Sequence, residues 1–219
     1  MPIFVKKEST LRLLTDDVPA PMREAYNRIR VNLLARTGLG VNREQTKECP
    51  VIGVTNAVRR PGDRYLAANL AISFAQLGLR TLLIDADYRE EEDLATLFGA
   101  TEGEGIAGYA AGMHIAPSFV GMSTLSFLSR GEAMGDPADL VGNNVFFSAI
   151  SALRAEYEAI FISLPPVTAY ADAATAAPAL SGVVLGTVPG KDKRSAVSLA
   201  IETLKNVGVP LYGMVACED

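Results

Sequence analysis

Residues 51–87 read VIGVTNAVRRPGDRYLAANLAISFAQLGLRTLLIDAD, and the class of fold can be inferred from this segment. It contains an apolar, β-branched run at 51–58, a helical pattern at 64–78 that stops at Gly78, and a second apolar run at 80–87. A strand, a Gly-bearing turn, a helix and a strand form a βαβ unit, whose two strands run parallel with a right-handed crossover. Because both strands are apolar, we expect a sheet covered on both faces.

The alternation of strands and helices continues on both sides of this unit. It predicts helices at 22–35, 91–98, 145–157, 170–179 and 193–208, and strands at 124–128, 159–164, 182–188 and 211–216. Residues 1–20 show no clean period, and we interpret them as an N-terminal arm or a poorly ordered lead-in. The sequence therefore predicts an α/β fold with one doubly wound, mainly parallel sheet, in a single domain of residues 21–219.

The composition excludes several classes of protein. The 219 residues are 49% hydrophobic and 21% charged, which favours one buried core over a disordered or collagen-like chain. The two cysteines, Cys49 and Cys217, are expected to be reduced thiols. With His114 as the one histidine, there is no cluster with zinc-ligand spacing and no Ser-His-Asp arrangement. The sequence thus predicts no metal site.

The charge and hydropathy pattern bears on location and partners. No run of about eighteen apolar residues occurs, and the N-terminus lacks the apolar segment of a secretory signal. We therefore expect a cytoplasmic protein without direct membrane insertion. A net charge of -5 without a basic patch argues against a nucleic-acid partner. One local positive cluster is present, formed by Arg59, Arg60 and Arg64.

Three stretches carry a resemblance to a known family. They are EAYNRIRVNL at 24–33, AISFAQLGLRTLLIDAD at 71–87 and EAIFISLPPV at 158–167. They resemble the subunit-contact helix, the Walker A′ region and the Walker B-like strand of the bacterial tyrosine kinases of capsule and exopolysaccharide synthesis, the CpsD/CapB group. The resemblance spans about residues 22–217 and implies a P-loop NTPase-like fold that uses ATP and Mg²⁺.

The phosphate-binding turn departs from this family. A P-loop needs glycines for close backbone approach, a lysine against the β/γ-phosphates and a hydroxyl for Mg²⁺. An ungapped alignment puts the six motif positions on Arg60, Pro61, Gly62, Asp63, Arg64 and Tyr65. The lysine position is then Asp63, a guanidinium and a phenol occupy the hydroxyl positions, and Pro61 lacks an N–H. A shift by one residue would put Arg64 on the lysine position, but it requires a compensating gap.

Other positions of the implied site are also altered. Ser163 stands at the carboxylate position of the Walker B-like strand, and Cys217 stands where the family has an asparagine. Asp85 and Asp87 match the Walker A′ carboxylates, and we interpret them as remnants that accept hydrogen bonds from turn amides or pair with the arginine cluster. A salt link to Arg64 would occlude the old phosphate site. Alternatively, the arginines bind another anion, such as a phosphate or the pyrophosphate of a polysaccharide precursor.

The first helix and the C-terminus bear on assembly. Glu24, Arg28 and Arg30 lie on the helix that resembles the subunit-contact motif, but Arg28 is one place, about 100°, from the motif position. An oligomer or partner contact and a plain solvated face both remain open. The family's C-terminal tyrosine cluster is absent from this sequence, whose last tyrosine, Tyr212, lies in an apolar strand.

The sequence therefore favours a catalytically degenerate member of this family, a pseudokinase without ATP or Mg²⁺ that acts as a scaffold or regulator in polysaccharide synthesis and export. The resemblance implies a membrane polysaccharide co-polymerase or another export-system protein as partner, at the inner face of the cell membrane, and a homo-oligomer. One alternative is an active ATPase or tyrosine kinase that uses Arg64, with Asp85 and Asp87 for the metal. The other is a positioning ATPase of the ParA/MinD type.

Overall fold

The structure, a computed structural model, describes residues 3–4, 13–15, 17–39, 48–60, 62–91, 94–100, 103–113, 117–120, 122–132 and 135–217. The strands within them are β1 Ile3–Phe4, β2 Val51–Asn56, β3 Thr81–Asp85, β4 Ser118–Val120, β5 Met122–Leu128, β6 Ala159–Ser163, β7 Gly182–Thr187 and β8 Leu211–Ala216. The helices are α1 Ala20–Thr37, α2 Asp63–Ala75, α3 Ala95–Phe98, α4 Gly105–Ala110, α5 Pro137–Val141, α6 Asn144–Leu153, α7 Asp172–Thr175 and α8 Arg194–Asn206.

The described strands form one sheet in the order β1-β8-β7-β2-β6-β3-β5-β4. Neighbouring strands run parallel except for β4, which is antiparallel to β5. The doubly wound, mainly parallel sheet predicted from the sequence is thus confirmed. Because β2, β3, β6, β7 and β8 are parallel, their carboxyl ends meet at one edge, where such folds bind ligands.

Helices cover both faces of the sheet, which explains why the central strands are apolar on both sides. On one face, Phe74 of α2 packs edge-on against Phe161 of β6, with ring centroids 5.0 Å apart. On the other face, Phe146 of α6 is fully buried against the same sheet. Every residue of β2 is buried as a result.

Part of the predicted N-terminal arm packs against the body of the fold. Leu14 is 1% exposed, and its backbone N–H donates to Asn69 Oδ1 on α2 at 2.7 Å. The side-chain amide of Gln76 donates to the Leu14 carbonyl at 3.0 Å. Further upstream, β1 extends the sheet beside Val215 and Ala216. Apolar side chains spaced too irregularly for a period therefore dock part of residues 1–20 onto the core.

The remaining differences concern short elements. The Ala-rich stretch expected to be one helix at 170–179 forms α7 and then a 3₁₀ turn, Ala177–Ala179, because Pro178 cannot continue an α-helix. Of the helix expected at 91–98, the structure describes α3 at its C-terminal end. The sequence patterns missed α4, β4 and α5, each of which is too short to show a period. Cys49 and Cys217 are free thiols, as predicted.

Candidate functional site

Residues from the predicted phosphate turn, the Walker A′ region and the Walker B-like strand converge at the carboxyl edge of the sheet. A small cleft there is lined by Val54, Asn56, Asp63, Arg64, Asp85, Asp87, Glu90, Leu94, Ser163 and Leu164. A second cleft shares Asn56 and Asp63 with the first and reaches Arg60, Asp192 and Cys217. The turn after β2, the Walker A′ carboxylates and Ser163 are therefore brought together, as the sequence implied.

Asp63 opens α2 at the position of the expected lysine. Its Oδ2 accepts a hydrogen bond from the Arg60 backbone N–H at 2.9 Å, which ties the carboxylate to its own turn. Burial raises the pKa of Asp63 to about 7, against the opposing effects of that N–H and of Arg59; the negative charges of Asp87 and Glu90 raise it further. The cleft therefore holds an acid where a phosphate site needs a cation.

Arg59 joins the turn after β2 to the Walker A′ loop after β3. Its Nη1 lies 2.6 Å from Asp87 Oδ2 and 2.6 Å from Glu90 Oε2, and its Nη2 donates to Asp87 Oδ1 at 3.2 Å. The side chain of Asp87 is 10% exposed and that of Arg59 is 29% exposed, so the contact is largely shielded from water. The expected pairing of a Walker A′ carboxylate with the arginine cluster occurs, through Arg59.

Arg60 pairs with a different segment, the loop before α8. Its Nη2 donates to Asp192 Oδ1 at 2.7 Å, and the Asp192 side chain is 3% exposed. The second oxygen of Asp192 accepts the Val188 backbone N–H at 2.8 Å. A cation of the expected phosphate cluster thus neutralises a buried carboxylate of the protein itself.

Asp85 and Ser163 lie side by side at the ends of β3 and β6. The two oxygens of Asp85 accept backbone N–H groups of Asp87 and Leu94, each at 3.0 Å. Ser163 is 6% exposed, and its carbonyl accepts the Ala86 N–H at 3.0 Å. Asp85 thus accepts hydrogen bonds from turn amides, one of the two arrangements that the sequence suggested for it.

The other motif positions surround the start of α2. Gly62 is the N-cap residue of that helix, and Pro61 lies outside the described residues. Arg64 Nη1 donates to Thr96 Oγ1 at 3.4 Å, and its guanidinium lies 5.8 Å from the Tyr65 ring centroid. Cys217 lines the second cleft, and burial raises the pKa of its thiol to about 12.

The predicted contact residues of α1 divide into two groups. Glu24 and Arg28 form an exposed ion pair with a distance of 3.0 Å between Arg28 Nε and Glu24 Oε1. Arg30 instead donates to the Ser73 carbonyl of α2 at 2.7 Å and to Asn27 Oδ1 at 2.9 Å. Glu24 and Arg28 therefore face outward, whereas Arg30 is used to fasten α1 to α2.

Sequence reasoning missed a second arginine anchor. Arg89 donates through Nε and Nη2 to the two oxygens of Asp172, both at 3.3 Å, and through Nη2 to Asp136 Oδ1 at 2.7 Å. Asp172 is 0% exposed, so this contact neutralises a buried charge. The position of Arg89, two residues after Asp87, was a sign that it lies near the site. Its carboxylate partners could not be inferred, because they lie far along the chain.

The donor set does not match a site for a nucleoside triphosphate and Mg²⁺. Among the described residues the two clefts contain no lysine, Asp63 stands in place of one, and Arg59 and Arg60 are engaged by carboxylates. Within the part of the chain that the structure describes, no group of three potential metal-ligating side chains occurs. His114 lies outside the described residues. No described helix is long and apolar enough to span a bilayer.

The fold is shared with a solved P-loop protein. MinD from Pyrococcus horikoshii, solved with Mg-ADP, superimposes with a TM-score of 0.61 over 77% of this chain and 70% of that chain, at 19% identity. That likeness shows the P-loop fold of the ParA/MinD type. No protein-family model matches the sequence.

Nearer relatives are tyrosine-protein kinases. The kinase CpsD of Streptococcus agalactiae is 29% identical over 195 residues, covering 88% of this chain and 81% of the relative. The chimerical protein CapA2B2 has the same fold, with a TM-score of 0.83 over 97% of this chain and 91% of that chain, at 22% identity. The chain is thus related to the bacterial tyrosine-protein kinases, as its motifs indicated.

Proposed function

We propose that this protein is a catalytically degenerate relative of the bacterial tyrosine kinases, without ATP or Mg²⁺ binding, which acts through protein contacts as a scaffold or regulator of polysaccharide synthesis and export. The observation that carries the proposal is the set of internal ion pairs in the former phosphate turn. Arg59 is held by Asp87 and Glu90, and Arg60 is held by Asp192.

Electrostatics at Asp63 supports the loss of nucleotide binding. An ionised carboxylate about 4 Å from a phosphate oxygen is disfavoured by roughly 4 kcal/mol at an effective dielectric of 20. With a pKa of about 7, Asp63 can bind a proton instead, so this repulsion acts in full only above pH 7. In neither form does Asp63 supply the attraction of a lysine to the phosphates. A phosphate would also have to displace Asp87 and Glu90 from Arg59, at contacts of 2.6 Å. Both terms act against a triphosphate at the position where the fold would place one.

The proposed setting is the inner face of the cell membrane, where the chain docks on a membrane polysaccharide co-polymerase or another export-system protein. The relationship to the CpsD-type kinases supports this setting. The outward-facing pair Glu24–Arg28 on α1 is available for such a contact, or for one with a second copy of the chain.

Calorimetric titration of Mg-ATP and Mg-ADP tests the proposal. The wild-type protein should give no binding heat up to millimolar nucleotide, whereas Asp63→Lys should bind measurably. Glu202→Lys on the exposed face of α8 makes the same charge change away from the clefts and serves as the control. Micromolar binding by the wild-type protein would overturn the proposal.

The active-kinase alternative depends on Arg64, which lines the same cleft as Asp85 and Asp87. It requires Asp85 to face a metal, although both of its oxygens accept backbone amides. Autophosphorylation with Mg-ATP, abolished by Asp85→Asn, would favour it. A positioning ATPase of the ParA/MinD type would instead show ATP-dependent dimers by light scattering.

A further inference from the structure

Tyr170 stands out among the tyrosines of this chain. All seven lie in the described residues, and Tyr170, at 37%, is the exposed one; the other six are buried or half-buried. It lies in the loop between β6 and α7, whose first turn carries the buried Asp172. No hydrogen bond of the Tyr170 hydroxyl to another described residue occurs. Tyr170 is therefore the tyrosine most open to an incoming group.

Two arginines flank the Tyr170 ring. The guanidinium carbon of Arg89 lies 5.0 Å from the ring centroid, and that of Arg59 lies 6.0 Å from it. Both arginines are also paired with carboxylates. Arg59 binds Asp87 and Glu90, and Arg89 binds Asp136 and Asp172.

We infer that Tyr170 is a phosphorylation site, modified by a tyrosine kinase that acts in trans. This inference rests on the proposed function and adds to its partners a tyrosine kinase, the class of enzyme to which the relatives of this chain belong. In the reaction the Tyr170 hydroxyl oxygen forms a bond to the γ-phosphorus of ATP held by that kinase. The bond from the γ-phosphorus to the β,γ-bridging oxygen breaks, ADP leaves, and the hydroxyl proton is released.

Phosphorylation would change the pairing of both arginines. A phosphotyrosine carries a charge of about -1.5 to -2 and three strong acceptor oxygens, which guanidinium groups bind bidentately. The phosphate would thus compete with Asp87 and Glu90 for Arg59, and with Asp136 and Asp172 for Arg89. We expect the loops that carry these carboxylates to loosen, so that modification opens the cleft that the ion pairs close.

The acceptor is tested with the purified tyrosine-protein kinase CpsD of Streptococcus agalactiae, Mg-ATP and the full chain. The kinase's own labelling from ATP verifies that it is active. Peptide mapping by mass spectrometry should place most of the phosphate on Tyr170, and Tyr170→Phe should reduce incorporation at least tenfold. Tyr109→Phe on α4 is the matched control and should leave incorporation unchanged. Absence of phosphate at Tyr170, or equal labelling of other tyrosines, would overturn the inference.

Two further measurements test the proposed function and the competition for the arginines separately from the choice of Tyr170 as acceptor. Label that enters the chain with Mg-ATP but without added kinase would contradict the proposed function and would leave the acceptor assignment in place. The chain with phosphotyrosine installed at position 170 during translation should show faster amide hydrogen exchange at 87–91 and 170–175 than the unmodified chain. Unchanged exchange at both segments would overturn the proposed competition for Arg59 and Arg89.

Discussion

Arg59 and Asp87 form a two-point ion pair beside the cleft at the carboxyl edge of the sheet, with N–O distances of 2.6 and 3.2 Å. The pair joins the turn after β2 to the turn after β3. Such bidentate contacts combine charge with fixed geometry. The pair therefore holds the two turns at a fixed separation.

Replacing Arg59 with glutamine should destabilise the fold. The change removes the cation shared by Asp87 and Glu90 and leaves two carboxylates close together in a shielded position. Breaking a fully buried pair costs about 3–5 kcal/mol, so this partly buried one should cost about 1–2 kcal/mol. Urea denaturation monitored by circular dichroism measures the loss.

The control for that variant is Arg28→Gln on α1. Arg28 also pairs with a carboxylate, but the Arg28 and Glu24 side chains are 67% and 57% exposed. Its loss should change the free energy of unfolding by less than about 0.5 kcal/mol. Equal effects of the two substitutions would refute a structural role for the Arg59 pair.

Asp63 should make stability depend on pH. Its folded pKa of about 7 lies above the ordinary value of 3.8. The protonated acid therefore stabilises the fold below about pH 4, and this contribution is lost as the pH rises through 7. Asp63→Asn resembles the protonated form, so it should exceed the wild type in stability at pH 8 by on the order of 1 kcal/mol and match it at pH 4. A constant difference between pH 4 and pH 8 would count against the raised pKa.

Gly131→Ala should be strongly destabilising. Gly131 has a φ of 71°, and an added Cβ would overlap the Glu104 carbonyl. The neighbouring Arg130 donates to the Asp87 and Glu90 carbonyls at 2.8 and 2.7 Å, so a shift there also disturbs the Walker A′ loop. Gly208 has a φ of 77° with open space around it, so Gly208→Ala should cost only about 1–2 kcal/mol. Thermal denaturation should show the larger loss for Gly131→Ala.

Both cysteines should resist alkylation in the folded protein. Burial raises the pKa of the Cys49 thiol to about 12, and burial with the nearby Asp63 and Asp192 does the same for Cys217. Since the thiolate is the reacting form, iodoacetamide at pH 8 should modify the native protein at least about a hundredfold more slowly than the urea-unfolded protein. Mass spectrometry follows the rate, and rapid native labelling of either thiol would show that its burial is incorrect.

The central part of the fold could be predicted from the sequence because its signals are local. The β-branched run of β2, the stop at Gly78 and the apolar β3 each lie within one short window. The docking of Leu14 could not be predicted, because a single buried leucine in a polar segment has no period. Its burial depends on Asn69 and Gln76, which lie on another element.

The site could be predicted only where both partners lie near the motif. The hydrogen bonds of Asp85 and the pairing of Asp87 follow from the turn chemistry of the surrounding residues. The partner of Arg60 could not be inferred, because Asp192 lies 132 positions further along the chain and meets it through the order of β2, β7 and α8. The fold topology decides which arginine pairs with which acid, so these pairs cannot be predicted from short segments of sequence.

The position of β2 between β6 and β7 also constrains how the chain acquires its structure during synthesis. The buried strand Val51–Asn56 leaves the ribosome long before the residues up to Thr187 that flank it. At a translation rate of about 5–20 residues per second, β6 is complete roughly 5 to 21 s after β2, and β7 is complete roughly 7 to 26 s after it. Until β6 is available, the apolar strand β2 has two unpaired edges that chaperones or neighbouring nascent chains can contact.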